Sequence, residues 1–225
     1  MKLSEKTLEV LKNFSTINTG MMFRKGNLLR VISAQKAVVG KAIIPDAIAD
    51  EFCIYDLNRF LSVVGSLDKP DITIKKTSDG SAGSAVIQSD SSKLVYRLTD
   101  ESMIVAAPDK DIKVAGAEVQ FTLKKDALVQ VLKLAGILGL PHIAMIGDRS
   151  KITLAAVDSK NDGSDTYSQE VGETTADFRF TFSVGNIKLI PSDYEVSASS
   201  KGIAHFVSPT LEYWVAMEPG SRYEA

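Results

Sequence analysis

Apolar residues recur at steps of three and four from Thr7 through Val10, Leu11 and Phe14 to Ile17, which predicts an amphipathic helix with one core-facing stripe. Ser4 stands where an N-cap is needed, and Leu3 before it is placed to pack on Leu8 as a hydrophobic staple. Asn18-Thr19-Gly20 stops the run. The period then shortens to two. Strands are predicted at 21–24, 28–34, 38–44 and 52–55, with Lys25-Gly26-Asn27 turning the first into the second. A short amphipathic helix follows at 56–67, then strands at 71–76, 85–89 and 93–98 with Gly- and Ser-rich turns between them.

The same order of elements then returns. A strand at 118–123 leads into a helix at 124–138 whose stripe is Leu128, Val131, Leu132, Ala135 and Leu138. Strands are predicted at 142–146, 151–157, 167–171 and 177–184, and a helical piece at 185–190 takes the place of 56–67. Strands at 194–199, 203–207 and 212–217 close the pattern. The fold class is therefore α+β: two repeated β-rich domains, 1–98 and 117–225, each with two helices packed on antiparallel sheets. Between them, 99–116 has no period and reads as a connector.

Composition narrows the function. The chain has 225 residues and 44% hydrophobic content, ample for two cores. Its formal charge of −2 gives no polyanion partner from the total, so local segregation has to carry any such argument. The single Cys53 excludes an internal disulfide and fits a reducing compartment. The start lacks the apolar stretch of a signal peptide, and no run approaches membrane-spanning length, so no membrane partner is expected.

No catalytic constellation emerges. His142 and His205 both lie in strand-like runs, and Gly136-Ile137-Leu138-Gly139 ends a helix where a phosphate loop would open one. The stretch from Asp158 to Gly163 brushes against a calcium loop, but Lys160 sits at a ligand position and Gln169 where the bidentate Glu belongs. The chain reads as a binding protein with no enzyme activity, cofactor or metal.

The charge layout is more informative. Glu9-Val10-Leu11-Lys12 is echoed by Gln130-Val131-Leu132-Lys133. At about 100° per residue, Lys12 and Lys133 each fall opposite the apolar stripe of their helix. Lys2, Lys6, Lys124 and Lys125 add charge at the helix starts, and Arg59 and Lys188 lie on the shorter helical pieces. Acid goes elsewhere: six acidic residues accompany Lys160 within 158–177. Basic helix faces beside acidic loops suit a polyanion bound through its phosphates, without base reading.

Several short motifs resemble one family. The opening Met1-Lys2-Leu3-Ser4, the run Val10-Leu11-Lys12-Asn13-Phe14 and Thr16-Ile17-Asn18-Thr19-Gly20 are similar to the sliding clamps of T-even-type tailed phages. So are Ile54-Tyr55-Asp56-Leu57-Asn58 with Phe60-Leu61, Val105-Ala106-Ala107-Pro108-Asp109-Lys110, and Tyr213-Trp214-Val215-Ala216-Met217-Glu218. They occur in the family's order along the whole chain, while the acidic loop at 158–173 is particular to this sequence.

The resemblance implies a homotrimeric ring of clamp domains around duplex DNA, acting in the cytoplasm of the infected host cell. Its implied partners are the DNA polymerase, the clamp loader, and the sigma-like factor and co-activator of late transcription. DNA contact would centre on Lys12 and Lys133, with Lys2, Lys6, Lys124, Lys125, Arg59 and Lys188 weaker. Subunits would join strand to strand, Lys93-Leu94-Val95-Tyr96-Arg97-Leu98 of one copy against Tyr167-Ser168-Gln169-Glu170-Val171 of the next. Partner peptides would use a pocket of Met103, Ile104, Val105, Pro108, Val215, Met217 and Pro219; the competing role for the connector's apolar group is to pin the connector down. The alternative from another class is a β-rich virion component that assembles through sheet edges without encircling DNA.

Overall fold

The computed structural model describes every residue except Ser91 and Ala115, the latter within the expected connector. The chain divides into two compact units, Met1–Asp111 and Ile112–Ala225, a boundary that falls inside 99–116.

In the first unit, α1 (Glu5–Ile17) begins where the Ser4 side chain accepts the Thr7 N–H at 3.3 Å, and it buries Thr7, Val10, Leu11, Phe14, Ser15 and Ile17. These residues recur about once per helical turn, so one face enters the core and Lys12 is left outside. The strands β1 (Met21–Phe23), β2 (Gly26–Ile32), β3 (Val38–Ile48) and β4 (Phe52–Ile54) follow. β1 pairs β4, and β2 pairs β3, all antiparallel. α2 (Leu57–Gly65) is capped by Asp56, which accepts the Arg59 N–H at 2.9 Å. β5 (Asp71–Lys76), β6 (Ala82–Ser89) and β7 (Ser92–Arg97) form a three-stranded sheet in that order. α1 packs on β2, β3 and α2.

Three of the four acidic residues from 46 to 56 serve separate structural ends. Asp46 accepts from the Ser4 N–H and hydroxyl, both at 2.7 Å, and so ties the start of α1 to β3. Burial works to raise that carboxyl, but the hydrogen bonds from Thr7 and Ser4 outweigh it and hold it below its ordinary value. Asp56 is the α2 cap, and Asp50 pairs with Lys76 at 3.4 Å.

In the second unit, β8 (Val119–Leu123) leads into α3 (Lys125–Leu138), which packs on β9 (His142–Asp148), β10 (Lys151–Val157) and β11 (Tyr167–Glu173). β12 (Asp177–Ser183), β13 (Tyr194–Ser199), β14 (Ile203–Val207), β15 (Leu211–Ala216) and β16 (Arg222–Glu224) complete it. One sheet has the order β11-β10-β9-β12-β16; β15, β14, β13 and β8 pair in sequence in another. The core is aromatic, with Phe178, Phe180, Phe182, Tyr194, Phe206, Tyr213 and Trp214 all buried.

Three expectations need correction. Among the described residues the second unit has one α-helix, and where a helical piece was expected at 185–190 there is only a 3₁₀ turn at Val184–Asn186, because Gly185 and Asn186 are poor helix formers and Pro191 follows. In α3 the buried set is Ala127, Leu128, Val131 and Ala135, while Leu138 is exposed. Gly139 adopts a left-handed conformation there, and Leu140 folds back into the core with its N–H bonded to Ala135 O at 2.8 Å. β16 was not expected at all, since Arg222-Tyr223-Glu224 has no apolar alternation; its pairing to β12 makes it a strand.

One glycine is fixed by packing. A Cβ on Gly147 in β9 would lie 2.3 Å from Phe178 Cε1 and 2.8 Å from Ala176 O. Phe178 is fully buried and has no room to retreat. Gly147→Ala should therefore lower the unfolding free energy by about 1–3 kcal/mol, the usual range for overpacking. Urea denaturation read by fluorescence checks this, and an unchanged midpoint would refute it.

Candidate nucleic-acid and subunit interface

The site residues lie on helix faces and sheet edges, and each unit contributes one of each. On α1, Lys6 and Lys12 are exposed, as is Lys2 just before it; Arg59 is exposed on α2. No hydrogen bond or ion pair among the described residues holds the ammonium of Lys12 or Lys133. On α3, Lys133 and Lys125 are exposed, but Lys124 is already bound to Asp193 at 3.0 Å. Asp193 also accepts the Lys125 N–H at 2.8 Å, and these contacts hold its carboxyl below the ordinary value. An ammonium so engaged has less to offer a phosphate. Lys188 is half-buried just beyond the 3₁₀ turn, with its N–H bonded to Asn186 O at 3.0 Å. Lys12 and Lys133 are thus exposed cations that lie opposite the apolar stripes of the long helices.

The two strands expected to join subunits are both edge strands. β7 pairs only β6, and β11 only β10, among the described residues. Along β7, Tyr96 turns inward. Its hydroxyl donates to Asp56 O at 3.1 Å and its ring meets Phe60 edge-on at 5.3 Å, so burial first and Asp56 second raise its pKa. Val95 faces the other way and is 51% exposed, unusual for an apolar residue on an edge. Leu94 is also exposed, and Leu98 is half-buried beyond the strand end. On β11, Val171 is the extra residue of a bulge opposite Ile152 and Thr153, which splits the pairing with β10 into Tyr167–Glu170 and Gly172–Glu173.

The residues expected to form a peptide pocket fall in both units and behave differently. Asp100 caps a 3₁₀ turn at Glu101–Met103, and Met103 and Val105 are exposed beyond it. Ile104 is half-buried and lies so close to Gly20 that a Cβ there would sit 2.8 Å from its Cγ2, so it pins the connector to the first unit. Pro108 is exposed. In the second unit Val215 is fully buried in β15 and belongs to the core; Met217 is half-buried and Pro219 exposed.

The sequence reading missed a basic strip. Arg30 on β2 and Lys41 on β3 are cross-strand partners, and Asp111 bridges them at 2.6 and 2.9 Å. Arg24 holds Asp109 at 2.8 Å. The signal was present as alternate outward positions on two strands, but it becomes visible only with the register of β2 against β3.

No group of three or more His, Cys, Asp or Glu that would hold a metal occurs among the described residues. Cys53 is buried; its thiol is pushed up to about 11, by burial first and then by Glu101 and Asp100, so it is not a thiolate nucleophile at neutral pH.

Comparison with known proteins bears on this layout. A family model described as DNA polymerase processivity factor matches residues 2–106, and one described as gp45 sliding clamp, C terminal, matches 120–219. The sliding clamp of Vibrio phage KVP40 is 32% identical over 97% of this chain and 99% of its own length. Those of Escherichia phage RB69 and Enterobacteria phage T4 are each 30% identical over the full length of both chains. Among solved structures, PCNA from A. fulgidus superimposes with a TM-score of 0.70 at 12% identity, covering 98% of each chain. The DNA polymerase III subunit beta of Pseudomonas aeruginosa gives 0.63 at 10% identity, covering 98% of this chain and 65% of that one. These structural likenesses establish a common fold.

Proposed function

The chain belongs to the sliding-clamp family of DNA polymerase processivity factors, and from that premise we propose that three copies close into a ring around duplex DNA through β7 and β11. The observation that carries this reading is that β7 of the first unit and β11 of the second are both edge strands, each paired on one side only among the described residues. A chain with two different open edges joins its copies head to tail, and such contacts end in a ring when the rotation closes. Closure removes both edges from solvent, and with them an aggregation hazard. A virion component would use the same edges, but the family decides between the two.

In the ring, the exposed faces of α1 and α3 point at the duplex, and Lys12 and Lys133 of each copy meet phosphates without reading bases. The clamp does no chemistry. It keeps the polymerase near the primer end, turning each rebinding into an event at high effective concentration. Opening and loading fall to the clamp loader, and the sigma-like factor and co-activator of late transcription dock on the same ring, in the cytoplasm of the infected cell. The connector 99–116 between domains 1–98 and 117–225 supplies Met103 and Val105 to partners, while Ile104 anchors it.

Topology tests the proposal. After loading by the cognate loader and ATP, the clamp should stay on nicked circular DNA at a salt concentration that abolishes electrostatic binding. Linearising the circle should release it within the time needed to slide off the ends. Equal retention on circular and linear DNA would overturn encirclement.

A further inference from the structure

The core face of the β5–β6–β7 sheet is set by Ile72, Ala85 and Ile87, which are buried, and by Tyr96 opposite Ala85, whose ring meets Phe60. The alternate positions therefore point outward. On β7 these are Lys93, Val95 and Arg97, and Lys75 on β5 shares the row of Arg97 across Ser84. Lys75, Lys93 and Arg97 are exposed, and no hydrogen bond or ion pair among the described residues holds their side chains. Neighbouring strands lie about 4.8 Å apart, so Lys75 and Arg97 stand about 10 Å from each other at one end of the sheet.

The loop that leads into β11 has the opposite sign. Asp162 and Asp165 are exposed, and no hydrogen bond or ion pair among the described residues holds either carboxylate. The loop is shaped by its own bonds: the Ser159 N–H donates to His142 Nδ1 at 3.3 Å, and the Ser164 N–H to Asn161 O at 3.1 Å. On β11 itself, Tyr167 and Gln169 sit opposite Ala156 and Leu154, on the face of the buried phenylalanines of β12, so Ser168 and Glu170 point outward.

Every ladder within either unit is antiparallel among the described residues. When β7 of one copy pairs β11 of the next in the same way, with both core faces on one side, outward residues meet outward residues. Placing Lys93 opposite Glu170 and Val95 opposite Ser168 uses the whole regular run Tyr167–Glu170. Sliding by two residues either way gives up the ion pair. In this register Arg97 stands opposite Thr166, and the chain beyond it carries Asp165 and Asp162 toward the Arg97–Lys75 end of the sheet.

We propose that the acidic loop 158–166 of one copy is an ionic clasp on the next, with Asp162 and Asp165 lying over Arg97 and Lys75, and that it makes ring closure selective and salt-sensitive. This rests on the reading of the chain as a ring joined through β7 and β11. Pairing β7 with β7 would bring the cations of two copies together, and like charges across a ladder are destabilising. Base on the β7 side and acid on the β11 side favour the head-to-tail joint over that alternative. The contacts are open to solvent, so each is weak by itself and fades as salt rises. A trimer holds six of them, two at each joint.

The test is sedimentation equilibrium of the full chain over a range of protein and salt concentrations. Asp162→Lys with Asp165→Lys should raise the trimer dissociation constant at low salt; a factor of about 1.5 per lost pair compounds over six pairs to about tenfold. Near 1 M salt, where the screening length is about 3 Å, variant and wild type should converge. Lys75→Glu with Arg97→Glu should weaken the trimer in the same way. Combining the four substitutions exchanges the signs and should recover most of the wild-type constant. All four positions are exposed, and that recovery also shows that neither pair of substitutions acts by unfolding the chain. The proposal is overturned if the loop reversal is silent at low salt, if its effect persists near 1 M salt, or if the four-substitution chain is no better than either reversal. Retention on circular DNA reports on the ring separately. A wild-type chain that is retained while the loop reversal is silent overturns the clasp alone; a wild-type chain that is not retained overturns the ring and the clasp with it.

Discussion

Reversing two charges per copy, Lys12→Glu with Lys133→Glu, should leave the ring assembled and abolish most of its grip on DNA. Both side chains are exposed and opposite the buried stripes of α1 and α3, so the helices lose no packing. Neither ammonium has a partner to orphan among the described residues, in contrast to Lys124, whose reversal would also repel Asp193. In a trimer the double change converts six cations facing phosphate into six anions. Removing one cation from a phosphate lowers the magnitude of the salt slope of log K by about 0.9. A tenfold shorter residence on loaded circles corresponds to about 1.4 kcal/mol, a modest demand on six such cations. Native mass should still report a trimer, and product length from the cognate polymerase should fall. Unchanged product length and an unchanged salt slope would remove both lysines from the DNA-facing set. Lys124→Gln is the comparison variant and should have a smaller effect.

The periodic parts of this fold were legible in the sequence for a simple reason: helices and half-buried strands repeat their burial at a fixed step. The stripe of α1 and the bounds of β5, β10, β13 and β14 agree with the spacing. What was not legible depends on register or on a chain reversal. Leu138 has the spacing of a core residue, yet the left-handed Gly139 brings Leu140 into the core in the next turn. Val215 sits among candidate pocket residues by sequence neighbourhood, but β15 turns it into the sheet core. The cationic pair Arg30–Lys41 comes from two strands whose relative register no spacing rule supplies. The paired lysines of the long helices were easier, since a helix fixes the direction of each side chain from its own sequence.

Placing proline at Val95 should turn the trimer into monomers while leaving each copy folded. The argument depends on where the N–H groups of β7 point. Leu98 donates its N–H to Gly83 O at 3.3 Å, toward β6. Alternation along an antiparallel strand then directs the N–H of Tyr96 and Leu94 at β6, and that of Val95 at the open edge. Proline at 95 therefore removes a donor from the side that would pair with β11 of the next copy and spares the ladder within the sheet. Its ring keeps the exposed face filled, so little core packing is sacrificed. On the other side of the joint, the bulge at Val171 interrupts β11 and leaves Tyr167–Glu170 as its longest regular run, so a ladder formed along it has few bonds to spare. Losing one from so short a junction, three times around a closed ring, should be enough to open it at micromolar concentration. Sedimentation should then show monomer, circular dichroism should be unchanged, and retention on circular DNA should disappear. A variant that remains a trimer would place the joint on another edge.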